Sequence, residues 1–417
     1  MTVPSLSKGA ATAPATQGTR TGVLMSLFAV AVAISVSLVA YPVYWHSLTP
    51  TQFSVWFSVV ELGTLFIPLD FGLSERFIKV AVGERTEKID ALYLRLRSDL
   101  LRIAIVAFCV QVPIYLLIAH TQHIYEYLPF VVLALCPALG VMCYAESALL
   151  RTQSRFVEIY GLNAFASLMF LGVVLALSPY GILGLALAAL SRSLVMFCGQ
   201  VMLARQHHHW RWRIFPFSGV SWGAFVANAS YLTMFSFDGV LFLSQGAAPN
   251  AVSAYLMNRK PFDVLKGLFD AAMAVVFVRI ARMPHNLGLA CGLIAAFAVG
   301  ALAVYGAGAY ALRLWIGPGV HDATLSASLA LVVVAVVTSR ITQMFNYVLV
   351  SEAVATRAAV VQGLAKASAV GLYIAIGMSL PSYHYVMAGL MFAASAYAIV
   401  MVWSYRRQLP LRMQSPP

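Results

Sequence analysis

The chain has 417 residues, 61% of them hydrophobic and only 10% charged, with a mean hydropathy of +0.83. Soluble domains carry about a quarter charged residues, so an ordinary soluble enzyme is excluded and lipid must be the solvent for most of this chain. The formal net charge is +12, and its placement along the chain assigns it to membrane topology rather than to a nucleic-acid partner.

Residues 1–21 are rich in Ser, Thr, Ala and Pro and have no apolar face to bury, which predicts a disordered cytoplasmic tail. The apolar run after Arg20 is too long for the core of a cleavable signal and stays as the first span. With about 20 apolar residues per crossing, the predicted spans are 22–46, 52–78, 99–119, 127–149, 158–178, 181–204, 219–245, 250–280, 287–315, 324–350, 357–379 and 384–404. Lys and Arg gather in alternate loops: Lys8 and Arg20, then Lys79, Arg85, Lys88, Arg95 and Arg97, then Arg151 and Arg155, then Arg205, Arg211 and Arg213, then Arg279 and Arg282, then Arg357, and last Arg406, Arg407 and Arg412. Loops 47–51, 120–126, 179–180, 246–250 and 380–384 have none, and Arg313 is the exception beside 316–323. By the positive-inside rule both termini of this multi-pass protein are cytoplasmic and the span count is even.

The eighth span is weak by hydropathy, because Arg259, Lys260, Asp263, Lys266 and Asp270 lie within it. An internal repeat supports it. Leu48 to Trp56 parallels Ala247 to Tyr255; Phe77-Ile78-Lys79-Val80-Ala81 parallels Phe277-Val278-Arg279-Ile280-Ala281. Arg155 and Gly161 correspond to Arg357 and Gly363, and Tyr180, Gly184 and Leu185 to Tyr385, Gly389 and Leu390. The expected fold class is therefore an all-α polytopic membrane protein of about 12 transmembrane helices in two pseudo-symmetric six-helix lobes. The lobes are 22–204 and 219–405, joined by a cytoplasmic linker 205–218 and followed by a cytoplasmic tail 406–417. Halves with an even number of spans share one orientation, the parallel-repeat arrangement in which a substrate path runs between the halves.

An ionisable group at the bilayer centre costs about 2.5–3.5 kcal/mol, so the charges of the eighth span cannot face lipid. Arg259, Asp263, Lys266 and Asp270 step by four, three and four, which sets alternating signs on one helical face. Counted from Asn250, Arg259 and Lys260 lie about 14 Å deep, and Asp238 on the seventh span is a counter-ion at comparable depth. Glu61 is the repeat equivalent of Lys260, and Asp70 of Asp270; Arg192, Arg340 and Lys366 are embedded as well. The expected substrate-binding residues are Arg259, Lys260, Lys266, Arg192, Arg340 and Lys366. The expected ion-coupling or counter-ion residues are Asp238, Asp263, Asp270, Glu61 and Asp70. The cationic excess of this set points to an anionic ligand.

No GxxxxGK[ST], HExxH or GxSxG occurs, so no catalytic residue, nucleotide motif or enzymatic role is expected. The triplet His207-His208-His209 lacks the i, i+4 geometry of a helical metal site, and Cys109, Cys136, Cys143, Cys198 and Cys291 lie singly in apolar spans. Neither metal nor cofactor nor disulfide is implied.

Phe57 to Ala81 with its Leu69-Asp70-Phe71-Gly72-Leu73 turn, Arg151 to Gly161, Tyr180-Gly181-Ile182-Leu183-Gly184-Leu185 and Ala251 to Lys260 together carry a resemblance. In these segments the chain resembles the polysaccharide-export, or O-antigen, flippases of the multidrug/oligosaccharidyl-lipid/polysaccharide exporter superfamily. The resemblance implies two lobes around a central cavity that moves a polyprenyl-pyrophosphate-linked oligosaccharide across the inner membrane by alternating access. Its partners would be that lipid-linked oligosaccharide, membrane lipid and a polysaccharide polymerase complex, with no nucleic acid. A cation-coupled multidrug antiporter of the same superfamily, with Asp238, Asp70 or Glu61 as the proton or sodium site, is the alternative within transporters. A membrane scaffold for a glycan-assembly complex is the alternative from another class.

Overall fold

The computed structural model describes residues 15–63, 70, 73–81, 86–153, 155–205, 215–217, 238–244, 246, 248–282, 287–316, 322–349 and 352–412. Among these residues the secondary structure is helical throughout. The first half contains α1 (Ala15–Ser47), α2 (Pro50–Gly63), α3 (Leu73–Ala81), α4 (Thr86–Thr121), α5 (Leu128–Thr152), α6 (Phe156–Leu177) and α7 (Gly181–Arg205). The second contains α8 (Asp238–Ser244), α9 (Pro249–Arg282), α10 (Leu287–Trp315), α11 (Ala323–Leu349), α12 (Glu352–Ile376) and α13 (Leu380–Arg412). Eight stretches of the described residues are long and apolar enough to cross a membrane.

Most helix ends fall within a few residues of the predicted spans, because the turns between them are chemically marked. Between α6 and α7, Ser178–Tyr180 forms a single 3-10 turn and Gly181 takes φ 59°, a left-handed conformation that glycine adopts without strain. At Gly184 a Cβ would stand 1.9 Å from the Leu177 carbonyl oxygen, so the hairpin closes only over a residue with no side chain.

Three boundaries differ from expectation, one of them at the end of α13, which runs to Arg412 where the span was expected to end at 404 and the tail to begin at 406. The first helix begins at Ala15, so residues 15–21 are helical rather than part of a disordered tail; residues 1–14 lie outside the described set. Helix α4 begins at Thr86, well before the predicted start at 99, and Arg95 and Arg97 are helical rather than in a loop. The reason is packing: Tyr93, Leu96, Leu100 and Ile103 recur at helical spacing and are buried against Val141, Ala145, Ala148 and Leu149 of α5. Interleaved charges lower the mean hydropathy of this stretch without interrupting its apolar face. Arg97 is itself buried, with Nε 3.3 Å from Glu146 Oε1, and Tyr93 donates to the same carboxylate at 3.2 Å.

The second predicted span is represented by α2 and α3, with Asp70 in a 3-10 conformation between them. Of the seventh, only α8 lies within the described residues, and most of the linker, including His207, His208 and His209, lies outside them. In the first half α4 packs on α5, α5 on α7, α7 on α6 and α6 on α1; in the second, α13 packs on α11 and α12, and α11 on α9 and α10.

The halves meet where α1 and α2 touch α8, α9 and the end of α10. Helices α2 and α9 are the repeat equivalents, and they lie side by side in the same direction. Ser253 donates from Oγ to the Pro50 carbonyl at 2.9 Å, and further along Glu61 meets Arg259 and Lys260. A pseudo-twofold axis brings a residue near it close to that residue's own equivalent, as Glu61 and Lys260 are here. Gly239 of α8 lies so close to α2 that a Cβ would come within 2.5 Å of Ser58 Oγ. Pro42, inside α1, has no N–H for the Leu38 carbonyl four residues earlier. The Trp315 indole at the end of α10 donates to that carbonyl from the other half.

Candidate functional site

The charged side chains of α9 form a closed network at the seam. Arg259 Nη2 lies 2.6 Å from Glu61 Oε1 and Arg259 Nε 3.2 Å from Asp263 Oδ1. Lys260 Nζ lies 3.1 Å from Asp263 Oδ2 and 3.9 Å from Glu61 Oε1. The same ammonium stands 4.9 Å from the Tyr41 ring centroid and 5.2 Å from that of Phe57, a cation–π contact on both rings. Two carboxylates balance two cations, and Glu61, Arg259 and Lys260 are buried. The four charges avoid lipid by pairing across the halves, and at this point the expected cationic surplus is absent. Because an ion pair broken in a buried setting leaves an uncompensated charge, the network joins the lobes strongly while it is intact.

Beside it, inside the second half, lies a second polar cluster. Asp238, at 0% exposure, accepts from the Tyr255 hydroxyl at 2.6 Å and from the Tyr383 hydroxyl at 3.3 Å. The ion pairs of Arg259 run to Glu61 and Asp263, so the carboxylate expected as its counter-ion is held chiefly by phenols. Buried Lys366 of α12 lies within electrostatic reach of Asp238. Buried His384 contacts Ser328 Oγ through Nδ1 at 3.0 Å, and its Nε2 has no hydrogen-bond partner among the described residues. Phe242, Tyr255, Tyr373 and Tyr383 pack ring against ring around this carboxylate.

The third feature is a cavity of about 640 Å³ within the first half, lined by α1, α2, α5, α6 and α7. Tyr41, Tyr44, Trp56 and Phe57 line one end, and Arg151 and Gln200 the other, with Arg192, Asn163 and Tyr160 between them. Among the described residues no Asp or Glu lines it.

The predicted residues therefore separate into groups. Glu61, Arg259, Lys260 and Asp263 come together at the seam, with Lys266 acting electrostatically on Asp263 from further along α9. Asp238 and Lys366 share the second-half cluster. Arg192 stands apart on the first-half cavity. Arg340 is half-buried on α11, Asp70 lies near Tyr144 at the cavity margin, and the side chain of Asp270 lies outside the described residues. Tyr255, Tyr383 and His384 were not anticipated. Tyrosines are frequent in this chain, and only packing distinguishes those that point at a carboxylate.

No curated protein sequence matches the chain. A family described as a protein of unknown function, DUF2933, matches residues 103–142, which is part of α4 and α5. Among solved structures, an outward-facing multidrug resistance MATE family transporter of the MOP superfamily aligns with a TM-score of 0.58 at 13% identity, covering 94% of this chain and 97% of that one. The inward-facing conformation of such a transporter aligns with a TM-score of 0.59 at 15% identity, covering 94% and 96%. A variant of the Vibrio cholerae MATE transporter VcmN aligns with a TM-score of 0.60 at 14% identity, covering 94% and 97%. The chain is thus an all-helical polytopic membrane protein with the two-lobed fold of MATE transporters. At these identities the likeness speaks for the fold alone.

Proposed function

We propose that the chain is a cation-coupled exporter that works by alternating access between its two lobes. The observation that carries this reading is the Asp238 cluster: a fully buried carboxylate held by two tyrosine hydroxyls, with Lys366 and His384 beside it and the interlobe ion network one helical turn away on α9. Loading or unloading a proton or small cation at Asp238 changes what Tyr255 can donate to. Tyr255 precedes Arg259 by one turn of the same helix, so the change reaches the seam that joins the lobes. Similar fits to outward-facing and inward-facing transporters support a fold that takes both states.

The seam lies at the end of the bundle that carries loops 47–51 and 246–250, which the basic-residue pattern makes periplasmic. The anionic-substrate reading, a flippase for a lipid-linked oligosaccharide, is favoured by one observation only: the first-half cavity presents Arg192 and no lining carboxylate.

The test is transport of rhodamine 6G and of fluorescein into proteoliposomes with a proton or sodium gradient imposed at constant membrane potential. Gradient-dependent movement that is lost in Asp238→Asn is the expected result. Movement of fluorescein that follows the potential alone, unchanged by Asp238→Asn, would replace coupling by the potential-driven flippase.

A further inference from the structure

The charges of the second half are matched, and those of the first-half cavity are not. Arg192 lies about 16 Å along α7 from Gly181, near the middle of a bilayer-spanning helix, and lines the cavity directly. Among the described residues it has no carboxylate or hydrogen-bond partner, and its nearest electrostatic neighbour is the Tyr44 phenol. Among the described residues, Asp70 acts on Tyr144 of the lining and Glu146 on Cys143; Glu146 is paired with Arg97, and Arg151 acts on the Tyr144 phenol with opposite sign to Asp70. The cavity is therefore cationic as a whole.

The walls are as specific as the charge. Tyr41, Tyr44, Trp56 and Phe57 give flat apolar faces at the end of the cavity beyond Arg192, and Tyr41 and Phe57 already stack at 5.2 Å. At the other end Gln200 is 3% exposed, and its Oε1 is buried without a hydrogen-bond partner. It lies eight residues beyond Arg192, about 12 Å along the same helix. A mid-membrane cation with no carboxylate partner among the described residues, a flat aromatic wall and an unsatisfied amide at that spacing define a ligand, and the volume is that of a pocket for a drug-sized molecule.

We propose that this cavity is a binding site for amphipathic organic anions. Arg192 holds a phosphate, carboxylate or sulfonate through its planar fork. The aromatic wall takes a flat ring, and Gln200 accepts from a hydroxyl or amide N–H at the far end. The inference rests on the transporter reading only for what the occupant is used for; occupancy itself needs no turnover.

The experiment uses the full-length protein in lipid nanodiscs and two dyes that share the xanthene ring and differ in charge, fluorescein and rhodamine 6G, read by fluorescence anisotropy. Fluorescein is expected to bind at least about tenfold more tightly, and Arg192→Gln to remove that difference, because a hydrogen bond to a charged group is worth about that factor. Arg192→Lys is expected to keep part of it. Ser193→Asp leaves Arg192 in place and adds a carboxylate to the lining, so it is expected to weaken fluorescein and strengthen rhodamine 6G even if Arg192→Gln does not fold.

Competition identifies the source of the anion: stronger displacement of fluorescein by geranyl pyrophosphate assigns a lipid headgroup, and stronger displacement by uridine diphosphate assigns a water-soluble anion. Equal or tighter binding of rhodamine 6G to the unaltered protein, or fluorescein affinity unmoved by both Arg192→Gln and Ser193→Asp, would overturn the site. A protein that binds fluorescein with the expected charge dependence yet moves neither dye in proteoliposomes keeps the site and loses the transporter reading.

Discussion

The two lobes carry equivalent helices yet treat their buried charges in opposite ways. In the second lobe Asp238 is fully buried and accepts from the hydroxyls of Tyr255 and Tyr383, with Lys366 within electrostatic reach. In the first lobe Arg192 faces a cavity of about 640 Å³ with aromatic walls and no lining acid. Desolvated charges that are fully partnered resist change until a small ion or proton alters the count. A desolvated charge facing a void is complete only when something enters. On the reading proposed above, coupling belongs to one lobe and cargo to the other, with the seam of Glu61, Arg259, Lys260 and Asp263 between them.

The strongest way to break that link is at the seam. Glu61→Ala removes a carboxylate shared by two buried cations, and breaking a buried pair from one side costs about 3–5 kcal/mol. The expected outcome is a large fall in the thermal midpoint of the purified protein and loss of transport of either dye. The exchange Glu61→Lys with Lys260→Glu keeps the sum of charge on the axis and is expected to recover most of both; a double variant no better than Glu61→Ala would remove the seam from the argument.

A smaller effect is expected at Gly239, where α8 of the coupling lobe touches α2 of the cargo lobe. Gly239→Val puts atoms within the space of Ser58 Oγ, 2.5 Å from an ideal Cβ, and overpacking of this kind costs about 1–3 kcal/mol. It is expected to favour the state in which the lobes are apart at this end, measured as increased labelling of a cysteine introduced at Ser54 by a membrane-impermeant maleimide. Gly172→Ala and Gly389→Ala, where a Cβ meets nothing within 4 Å, are expected to leave labelling unchanged.

The smallest effect concerns Trp315. Trp315→Phe retains the ring packed on Tyr41 and loses the hydrogen bond to the Leu38 carbonyl, worth about 1 kcal/mol. A shift of a few degrees in the thermal midpoint is expected, with the Arg192 cavity still selecting fluorescein over rhodamine 6G. Loss of that selection would mean that the seam and the cavity are not separable.

Much of this architecture was legible in the sequence. Hydropathy over a window, turn chemistry at Pro50, Gly181 and Pro249, and the near-constant offset of the repeat placed most helix ends and paired α2 with α9. The start of α4 was not legible, because Arg95, Arg97 and Asp99 lower the average while Tyr93, Leu96 and Leu100 keep the buried face. The stripe on α9 was visible as a set of charges that must avoid lipid, but its partner on α2 was visible only as a repeat equivalent.

What the sequence alone determined was the solvent of the chain and the order of its helices, since each is a local average. What only the tertiary structure decided was the partner of each buried charge. Glu61 is about 200 residues from Arg259, Tyr383 is 145 residues from Asp238 where Tyr255 is 17, and Arg192 is distinguished from Arg259 by having a cavity before it rather than a carboxylate. Electrostatic energy in a low dielectric depends on separations of a few ångströms, and no window of sequence contains those distances.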